Sequence, residues 1–273
     1  MNHFIGDAAE ALVDVVEQNL GFLLDSLSFL LGSLHSLVRG ALLGVPDLVV
    51  LAALVILAYF ITRKVILSAS LLAALLLVWW MGLWNLSMET LSLVLVAAAT
   101  AIAVGVPLGI LCTKNDHLNA GMKVLLDFMQ TMPSFVYLIP VVIFFGLGNV
   151  PGMVATVVFA VPPVVRLTNL GIRQVPKDID EAAEAFGATP LQKLLQVQLP
   201  LARPTIMAGV NQCIMLALSM VVIASMIGAR GLGSNVLVAI QRVDIGMGFE
   251  AGLAIVVLAI VLDRITQGMN KTV

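Results

Sequence analysis

Residues 181–200 read EAAEAFGATPLQKLLQVQLP, and they separate long apolar stretches of a chain that is 60% hydrophobic. The stretch carries charges, has an amphipathic pattern and ends in proline, so it does not belong in the hydrocarbon core of a membrane. Asp178 and Asp180 precede it, and acids in a first helical turn interact favourably with the positive end of the helix macrodipole. We therefore predict a polar segment outside the membrane, within a loop at 176–203, that another protein grips.

Two short helices are predicted within this segment. The two alanines that follow the first glutamate propagate one helix, and Gly187 permits the turn after it. Thr189-Pro190 is typical of the N-cap and first residue of a second helix, which should run to about Gln196. Leu199-Pro200 is expected to end that helix and redirect the chain. Two short helices that meet at a glycine form a compact knob, which can transmit a rigid-body push. This knob, within the loop at 176–203, is called the polar hairpin.

The composition indicates a polytopic membrane protein. Mean hydropathy is +1.08, and 11% of the 273 residues are charged, against about 25% in average chains. Cys112 and Cys213 lie in apolar surroundings without metal-ligand spacing, so packing roles are expected for both. The N-terminus lacks the basic and apolar regions of a cleaved signal peptide.

Seven apolar stretches are long enough to cross about 30 Å of hydrocarbon. The predicted fold is therefore an all-α polytopic membrane protein with about seven transmembrane helices in residues 46–273. The predicted spans are 46–62, 65–84, 89–112, 133–149, 150–169, 204–228 and 247–263.

Basic residues orient these spans by the positive-inside rule. If the polar hairpin is cytoplasmic, all but Arg39, Arg230 and Arg242 of the 14 Lys and Arg residues lie on the cytoplasmic side. The loops at 63–64 and 113–132 agree independently of the hairpin. We predict an N-terminus outside the cell and a C-terminus in the cytoplasm.

Residues 1–45 are predicted to form one or two amphipathic helices on the outer membrane surface. Polar residues recur at steps of three and four between residues 8 and 40, with one longer gap at Gly21, and leucine, valine and phenylalanine occupy the other face. Asp25 stands in the middle of the stripe, and a carboxylate at bilayer depth is costly. Simple anchoring and a scaffold that joins two copies of the chain are both open roles. The stripe comprises Glu10, Asp14, Glu17, Asp25, Ser28, Gly32, His35 or Ser36, and Arg39.

Prolines and glycines interrupt the central stretches. Pro133 precedes SFVYLIP, GLGNVPG makes a tight turn at 146–152, and Pro162-Pro163 interrupts the next span. Such breaks persist in a membrane where protein or a water-lined cavity satisfies the freed carbonyls, so these segments either line a pathway or are only shaped by proline kinks. Small residues four apart in GVPLG at 105–109 permit close helix approach.

No catalytic, nucleotide-binding or metal-binding pattern is present. The sequence lacks GxxxxGK[ST], HExxH and GxSxG, so it cannot bind ATP through a P-loop and has neither a zincin nor a hydrolase motif. His3, His35 and His117 are scattered and are expected to be solvated. We predict no metal, cofactor, catalytic residue or nucleic-acid contact for this chain.

The polar residues within the spans are neutral, which argues against a proton or sodium relay. Glu250 and Asp263 lie only near the ends of the last span. Three of the neutral residues fall on roughly one face of the sixth span and could line a pathway or supply hydrogen bonds between helices. The candidate pathway residues are Gln130, Thr131, Pro133, Asn211, Gln212 and Ser219.

The polar hairpin resembles the EAA loop of permease subunits of binding-protein-dependent ABC importers. The match runs from Glu181-Ala182-Ala183 through Gly187 to Val197-Gln198-Leu199-Pro200, with Val197 in place of the usual isoleucine as the one departure. In that family the loop docks into a cleft on a separate ATPase. The resemblance implies the type I importer permease fold. It also implies ATPase coupling through Glu181, Ala182, Ala183, Gly187, Leu199 and Pro200.

Residues 90–268 resemble more closely the permease of glycine betaine and related quaternary-amine importers, notably in MQTMPSFVYLIPVV and PTIMAGVNQCIML. That subfamily carries betaine, proline betaine, choline or carnitine. The resemblance implies a homodimer in the lipid of the bacterial inner membrane, two cytoplasmic ATPase copies that bind ATP and Mg, and a periplasmic or tethered binding protein. Trp79, Trp80 and Trp84 cluster at one outer membrane edge, where interfacial anchoring is favoured over an aromatic cage.

Two alternatives stay open. An importer of the same architecture could carry another solute, such as an amino acid, a sulfonate or methionine. A secondary carrier or channel acting alone is more distant. A neighbouring binding protein rich in tryptophan and tyrosine pocket residues would favour a quaternary amine, and uptake without an ATPase would favour a lone carrier.

Overall fold

The computed structural model describes the backbone of residues 4–271 and the side chains of residues 13, 15 and 17–269. This part of the chain contains only helices and their connections, which confirms the all-α prediction. A 3₁₀ turn precedes α6, a π-helical segment at Lys193–Gln198 joins α9 to α10, and a 3₁₀ turn follows α10. The helices are α1 (Phe4–Leu43), α2 (Asp47–Thr62), α3 (Val65–Trp80), α4 (Trp84–Lys114), α5 (Asp116–Thr131), α6 (Leu138–Phe145), α7 (Asn149–Arg173), α8 (Lys177–Ala185), α9 (Pro190–Gln192), α10 (Leu199–Ala224), α11 (Leu232–Arg242) and α12 (Ile245–Lys271).

Contacts between helix ends define one end of the bundle. Gly268 of α12 lies against Ile61 at the end of α2. Arg203 near the beginning of α10 donates a hydrogen bond to the α12 backbone, and Arg173 at the end of α7 donates one to the last turn of α4. The connections at 63–64, 115 and 174–198 and the C-terminal part of α12 therefore lie together, at what is called here the hairpin end.

The opposite end holds the remaining connections. The N–H of Gly148 donates to the carbonyl of Ile227 at 2.8 Å. The N–H of Arg230 donates to the Asn149 side chain, which also contacts Glu89 near the beginning of α4. From α2 onward the chain passes alternately between the two ends.

The predicted count of seven spans is not confirmed. Five segments of the described chain are long and apolar enough to cross a membrane, and a sixth results if the bent pair α5 and α6, at 107° to each other, counts as one span. α2 and α3 have 16 residues each, or about 24 Å of helix, which is short of the ~30 Å of hydrocarbon. The five segments are Glu17–Leu43, Trp84–Lys114, Asn149–Arg173, Pro190–Ile227 and Ile245–Met269.

Proline affects the two central segments differently. The chain bends sharply at Pro133, because Met132 before it adopts an extended conformation and proline disfavours helical geometry in the preceding residue. The predicted interruption at Pro162-Pro163 is wrong, since α7 continues unbroken through both. Both prolines are buried, and packed neighbouring helices allow a membrane helix to tolerate the missing donors.

Helices α4, α7 and α10 form the centre of the bundle, where small residues allow close approach. A Cβ on Gly109 would lie 2.6 Å from the Cβ of Thr168, and one on Gly105 would lie 2.8 Å from the Cβ of Val164. The predicted close approach at 105–109 is therefore confirmed. Gly209 of α10 faces α7 in the same way, so side chains larger than hydrogen at these positions would push the helices apart.

The N-terminal region forms one long helix. Leu31 and His35 are buried against the bundle, while Phe22, Asp25 and Phe29 are exposed. Glu10 and Asp14 of the predicted polar stripe lie outside the residues whose side chains are described. By length and hydropathy Glu17–Leu43 also qualifies as a membrane-crossing segment, whereas the sequence predicts a position on the surface.

The tryptophan cluster is split by the fold. Trp79 and Trp80 are exposed, but Trp84 is buried in the core, so Trp84 cannot act as the interfacial anchor that the sequence predicts. Cys112 and Cys213 are buried and free, in agreement with packing roles.

Candidate functional site

The polar hairpin begins as the sequence predicts. α8 carries Asp178 and Asp180 in its first turn, and Gly187 turns the chain with a φ of +80°, which favours glycine. The Thr189 hydroxyl accepts a hydrogen bond from the N–H of Gln192, whose side chain in turn accepts one from the N–H of Thr189. This reciprocal capping box confirms the predicted beginning of the second helix. α8 is called the first arm of the hairpin, and α9 with the following segment Lys193–Gln198 is called the second arm.

The predicted end of the second arm at Leu199-Pro200 is wrong. The chain passes from α9 through the π-helical segment Lys193–Gln198 directly into α10, whose first turn contains Pro200. A π segment widens the helix before the proline ring, and proline is tolerated in a first turn. The second arm and α10 therefore form one continuous helical path from the hairpin into the bundle.

An ion-pair cluster holds the two arms together. Lys193 donates to Asp180 at 2.8 Å and to Glu184 at 2.5 Å, and Gln198 donates to the second oxygen of Asp180 at 2.8 Å. The hydrogen bond from Lys193 holds the pKa of Asp180 below its usual value, and the same bond raises the pKa of Lys193. Both arms therefore keep a fixed spacing.

The outer surface of the hairpin is free within this chain. Glu181 and Ala182 are exposed and Ala183 is partly so. Phe186 at the tip is 93% exposed, and Leu191 and Leu195 are also exposed. Exposed apolar side chains on a polar knob are typical of a protein contact surface.

The base of the hairpin is anchored to the bundle. Leu194 is buried in a small cluster with Ile172 of α7 and Ala202 of α10. Arg173 pairs with Asp116 at 2.6 Å and also bonds the carbonyl of Cys112. Leu194 thus fixes the hairpin to α7 and α10, and Arg173 ties the end of α7 to α4 and α5.

The predicted pathway residues do not form one set. Gln130, Thr131 and Pro133 lie exposed at the bend between α5 and α6. Gln212 and Ser219 are exposed on α10. Asn211 does not share their face, because it donates to Asp263 of α12 at 3.1 Å and accepts from Thr266 at 2.9 Å.

The exposed face of α10 is continuous from the hairpin end toward the opposite end. Its exposed residues recur at steps of three and four, the period of one helix face, and none of them packs into the core of this chain. They are Leu201, Pro204, Ala208, Gln212, Met215 and Ser219.

The sequence reasoning missed a buried polar cluster at the opposite end. Glu89 is buried and pairs with Arg39 of α1 at 2.5 Å, and His35 lies 3.1 Å from the Ser92 hydroxyl. The predicted solvation of His35 is therefore wrong, whereas His117 is exposed and His3 lies outside the described residues. The sequence offered two signals for this pair. Glu89 is a lone acid at the start of an apolar stretch, and Arg39 is a lone base in the N-terminal stripe.

Solved structures share this fold at low sequence identity. The MetNI methionine ABC transporter in an inward facing conformation superposes with a TM-score of 0.59 at 22% identity, over 66% of this chain and 93% of that chain. At this identity the likeness concerns the fold alone.

Two curated relatives are much closer in sequence. The glycine betaine/carnitine transport permease protein GbuB of Listeria monocytogenes is 60% identical over 71% of this chain and 69% of its own length. The glycine betaine transport system permease protein OpuAB of Bacillus subtilis is 46% identical over 97% of this chain and 94% of its own.

The family model described as the binding-protein-dependent transport system inner membrane component matches residues 105–273, which include the polar hairpin and helices α7, α10 and α12. The chain therefore belongs to this family: it is a multi-pass inner-membrane permease subunit of an ABC transporter, and a separate subunit of that transporter hydrolyses ATP.

Proposed function

We propose that this chain forms the membrane passage of an ATP-driven importer for a quaternary amine osmolyte, such as glycine betaine, proline betaine, carnitine or choline. The observation that carries the proposal is the 46% identity along 97% of the chain to a glycine betaine permease. The second relative is named for glycine betaine and carnitine, which are solutes of the same chemical class.

The scarcity of aromatic rings supports a division of labour between this chain and a separate binding protein. A quaternary ammonium is normally recognised by several rings through cation–π attraction. Aromatic residues make up 6% of this chain, and in the described part ring contacts join only the pairs Tyr59–Phe60 and Tyr137–Phe159. The binding protein selects the solute, and this chain supplies a weakly binding passage.

Transport by a reconstituted complex tests the substrate. The chain is purified with its partner ATPase and binding protein and placed in liposomes, and radiolabelled glycine betaine is added with ATP. We expect ATP-dependent accumulation that unlabelled choline or carnitine competes away and methionine does not. Accumulation of methionine instead, or of betaine without the ATPase, would overturn the proposal.

The hairpin end faces the cytoplasm in this proposal. Arg63, Lys64, Lys114 and the basic residues of the polar hairpin all lie at this end, as the positive-inside rule requires of a cytoplasmic surface, and the C-terminal part of α12 lies there too. A cysteine placed at Gln192 should be protected from an impermeant thiol reagent in whole cells, while one placed at exposed Val243 should be labelled. The reverse pattern would refute this orientation.

The polar hairpin is the proposed docking site for the ATPase. The coupling residues are Glu181, Ala182, Ala183, Gly187, Leu199 and Pro200. Glu181 and Ala182 are exposed and Gly187 sets the angle between the arms. Leu199 and Pro200 lie on the continuous path into α10. Closure of two ATPases on ATP would move the two hairpins of a permease pair and switch the passage between its inward-facing and outward-facing states.

Two substitutions test this docking. Glu181→Lys reverses an exposed charge, and Gly187→Pro cannot adopt the φ of +80° found there, because proline fixes φ near −65°. We expect both variants to insert normally but to uncouple ATP hydrolysis from uptake. Gly187→Asn is the matched control, since asparagine tolerates a left-handed conformation. Normal uptake by both variants would reject the docking site.

Two copies of the chain would enclose the passage. The exposed face of α10 carries Gln212 and Ser219, and the bend at Gln130, Thr131 and Pro133 is exposed as well. Proline breaks and uncompensated polar groups at membrane depth persist where they face protein or a water-lined cavity. Cysteines at Ser219 should cross-link within a purified dimer, whereas cysteines at Phe29 should not. Cross-linking at Phe29 and none at Ser219 would place the passage elsewhere.

Residues 1–45 are proposed to lie on the outer membrane surface. Asp25 is exposed between Phe22 and Phe29 on the free face of α1, where a bilayer crossing would expose its carboxylate to lipid at a high cost. In whole cells, cysteines at Ser26 and at Leu37 should both be labelled from outside. Labelling of Leu37 alone would indicate a membrane crossing.

A further inference from the structure

A cavity of about 610 Å³ opens at the hairpin end between α3 and α12. Its rim carries two basic residues, Lys64 at the turn between α2 and α3 and Arg264 in α12. A smaller cavity of about 70 Å³ adjoins it, shares both basic residues and is also lined by Thr62 and Gln267. The two basic side chains therefore stand between a polar recess and a larger groove.

The walls of the larger groove are mainly apolar. Ile66 and Leu71 of α3 face Ile260 of α12 across it, and Ile66 is 88% exposed. Farther along α3 toward the opposite end, the next exposed residues on this side are Ala73 and Leu77. An apolar strip therefore continues from the groove in the direction of the membrane interior.

The positive charge at the rim has little internal compensation. No ion pair joins Lys64 to an acid within the described part of the chain. Arg264 approaches Asp263 only at 3.9 Å, and the oxygens of Asp263 already accept hydrogen bonds from Asn211 and Gln267. Both cations are therefore available to an external anion.

We propose that this groove binds an anionic phospholipid, with the phosphate between Lys64 and Arg264 and an acyl chain on Ile66, Leu71 and Ile260. Basic pockets between membrane helices on the cytoplasmic side bind anionic headgroups, and each buried CH₂ of a chain adds hydrophobic free energy. A soluble anion would use the charges but not the apolar wall, and a neutral lipid would use the wall but not the charges.

The position of the site gives the lipid a structural role. Arg264 follows Asp263, which links α12 to α10 through Asn211, and α10 continues into the polar hairpin. A lipid that bridges Lys64 and Arg264 ties α3 to this part of α12. The inference concerns the membrane surface of the chain and does not depend on which solute is transported.

The test compares lipid-dependent stability of the purified full-length chain in detergent. Phosphatidylglycerol, phosphatidylcholine and inorganic phosphate are each titrated while thermal unfolding is followed. We expect only phosphatidylglycerol to raise the midpoint. In Lys64→Gln/Arg264→Gln the apparent affinity for it should fall about 30-fold, from the attraction of an anionic surface for two basic side chains.

Two control variants keep the test decisive. Arg230→Gln/Arg242→Gln changes the net charge equally at the opposite end and should keep the wild-type affinity. Lys64→Arg/Arg264→Lys preserves both charges and should keep the lipid effect. Native mass spectrometry of the same samples should show phosphatidylglycerol retained by the wild type and lost from the Gln/Gln variant, even if that variant is less stable.

Three results would overturn the proposal. One is equal retention of phosphatidylglycerol by the wild type and the Gln/Gln variant. Another is an equal effect of inorganic phosphate or phosphatidylcholine, which would indicate a free-anion site or a purely apolar groove. A third is conversion of a purified dimer to monomers by the Gln/Gln substitution, because the groove would then be an interface between copies of the chain.

Discussion

Replacing Lys193 by glutamine should loosen the polar hairpin without unfolding the bundle. Lys193 is the one side chain that bonds both Asp180 and Glu184 in the described structure, so its loss leaves α8 held to the second arm in this cluster only by the bond from Gln198 to Asp180. The base of the hairpin keeps its buried contact through Leu194. The expected defect is therefore local, in the arm that carries Glu181.

The size of the effect follows from distances and exposure. The Lys193 nitrogen lies 2.8 Å from an Asp180 oxygen, with side chains 18% and 28% exposed, and 2.5 Å from a Glu184 oxygen whose side chain is 62% exposed. A charge-assisted hydrogen bond contributes about 1.5–3 kcal/mol, but solvent screening reduces exposed pairs to about 0.2–1 kcal/mol. We expect the free energy of local opening to fall by about 1–2 kcal/mol, which raises the open population about 5- to 30-fold.

Hydrogen exchange measured by mass spectrometry on the purified complex checks this value. Amides of α8 should exchange about 5- to 30-fold faster in Lys193→Gln, while those of α7 and α10 keep their rates. Lys177→Gln is the matched control, because it removes one positive charge from α8 at an exposed position without an ion pair in the described structure. Equal exchange of α8 in both variants would show that the cluster does not hold the arms together.

The other predictions concern the hairpin at low pH and the packing of the bundle. The hydrogen bond from Lys193 lowers the pKa of Asp180, so the contribution of this carboxylate to hairpin stability is present above the usual aspartate pKa and is lost as the pH falls through the lowered pKa. Hydrogen exchange corrected for intrinsic rates should show α8 losing protection only in that acidic range. An unchanged protection factor of α8 in that range would show that the Asp180–Lys193 bond does not stabilise the hairpin. Gly109→Val places a Cβ 2.6 Å from that of Thr168. This overpacking should lower the free energy of unfolding by about 1–3 kcal/mol, which would be measured as a lower thermal midpoint. The control Gly121→Ala has open space around it and should leave the midpoint unchanged or raise it. Asp263→Ala removes the carboxylate that accepts a hydrogen bond from the half-buried Asn211 amide, and it should lower the free energy of unfolding by about 1–3 kcal/mol. A thermal midpoint equal to that of the wild type would show that this bond does not hold α10 to α12.

Local residue chemistry predicted much of the polar hairpin. Acids at the beginning of α8, a glycine at the turn and Thr189-Pro190 at the second arm each act through neighbouring backbone groups, so their spacing in sequence is enough to place them. The close approach of α4 and α7 at 105–109 was predictable for a similar reason, because only small residues permit it.

The errors arose where the partner of a residue is far away in sequence. The predicted break at Pro162-Pro163 is absent, and both prolines are buried where α7 packs against α4 and α10. Asn211 turns toward Asp263 and away from the face of Gln212. Neither partner is visible in the local pattern. The same holds for His35, whose environment is set by α4.

The sequence by itself determined that the chain is helical, apolar enough for a membrane and equipped with a polar hairpin, because hydropathy, helix propensity and turn geometry depend on residues a few positions apart. Only the tertiary structure decided that the second arm of the hairpin continues into α10, that Glu89 is buried against Arg39, and that Lys64 and Arg264 line the same apolar groove. These features depend on side chains that packing brings together from distant positions, and burial changes the free energy of a charge far more than any local preference does.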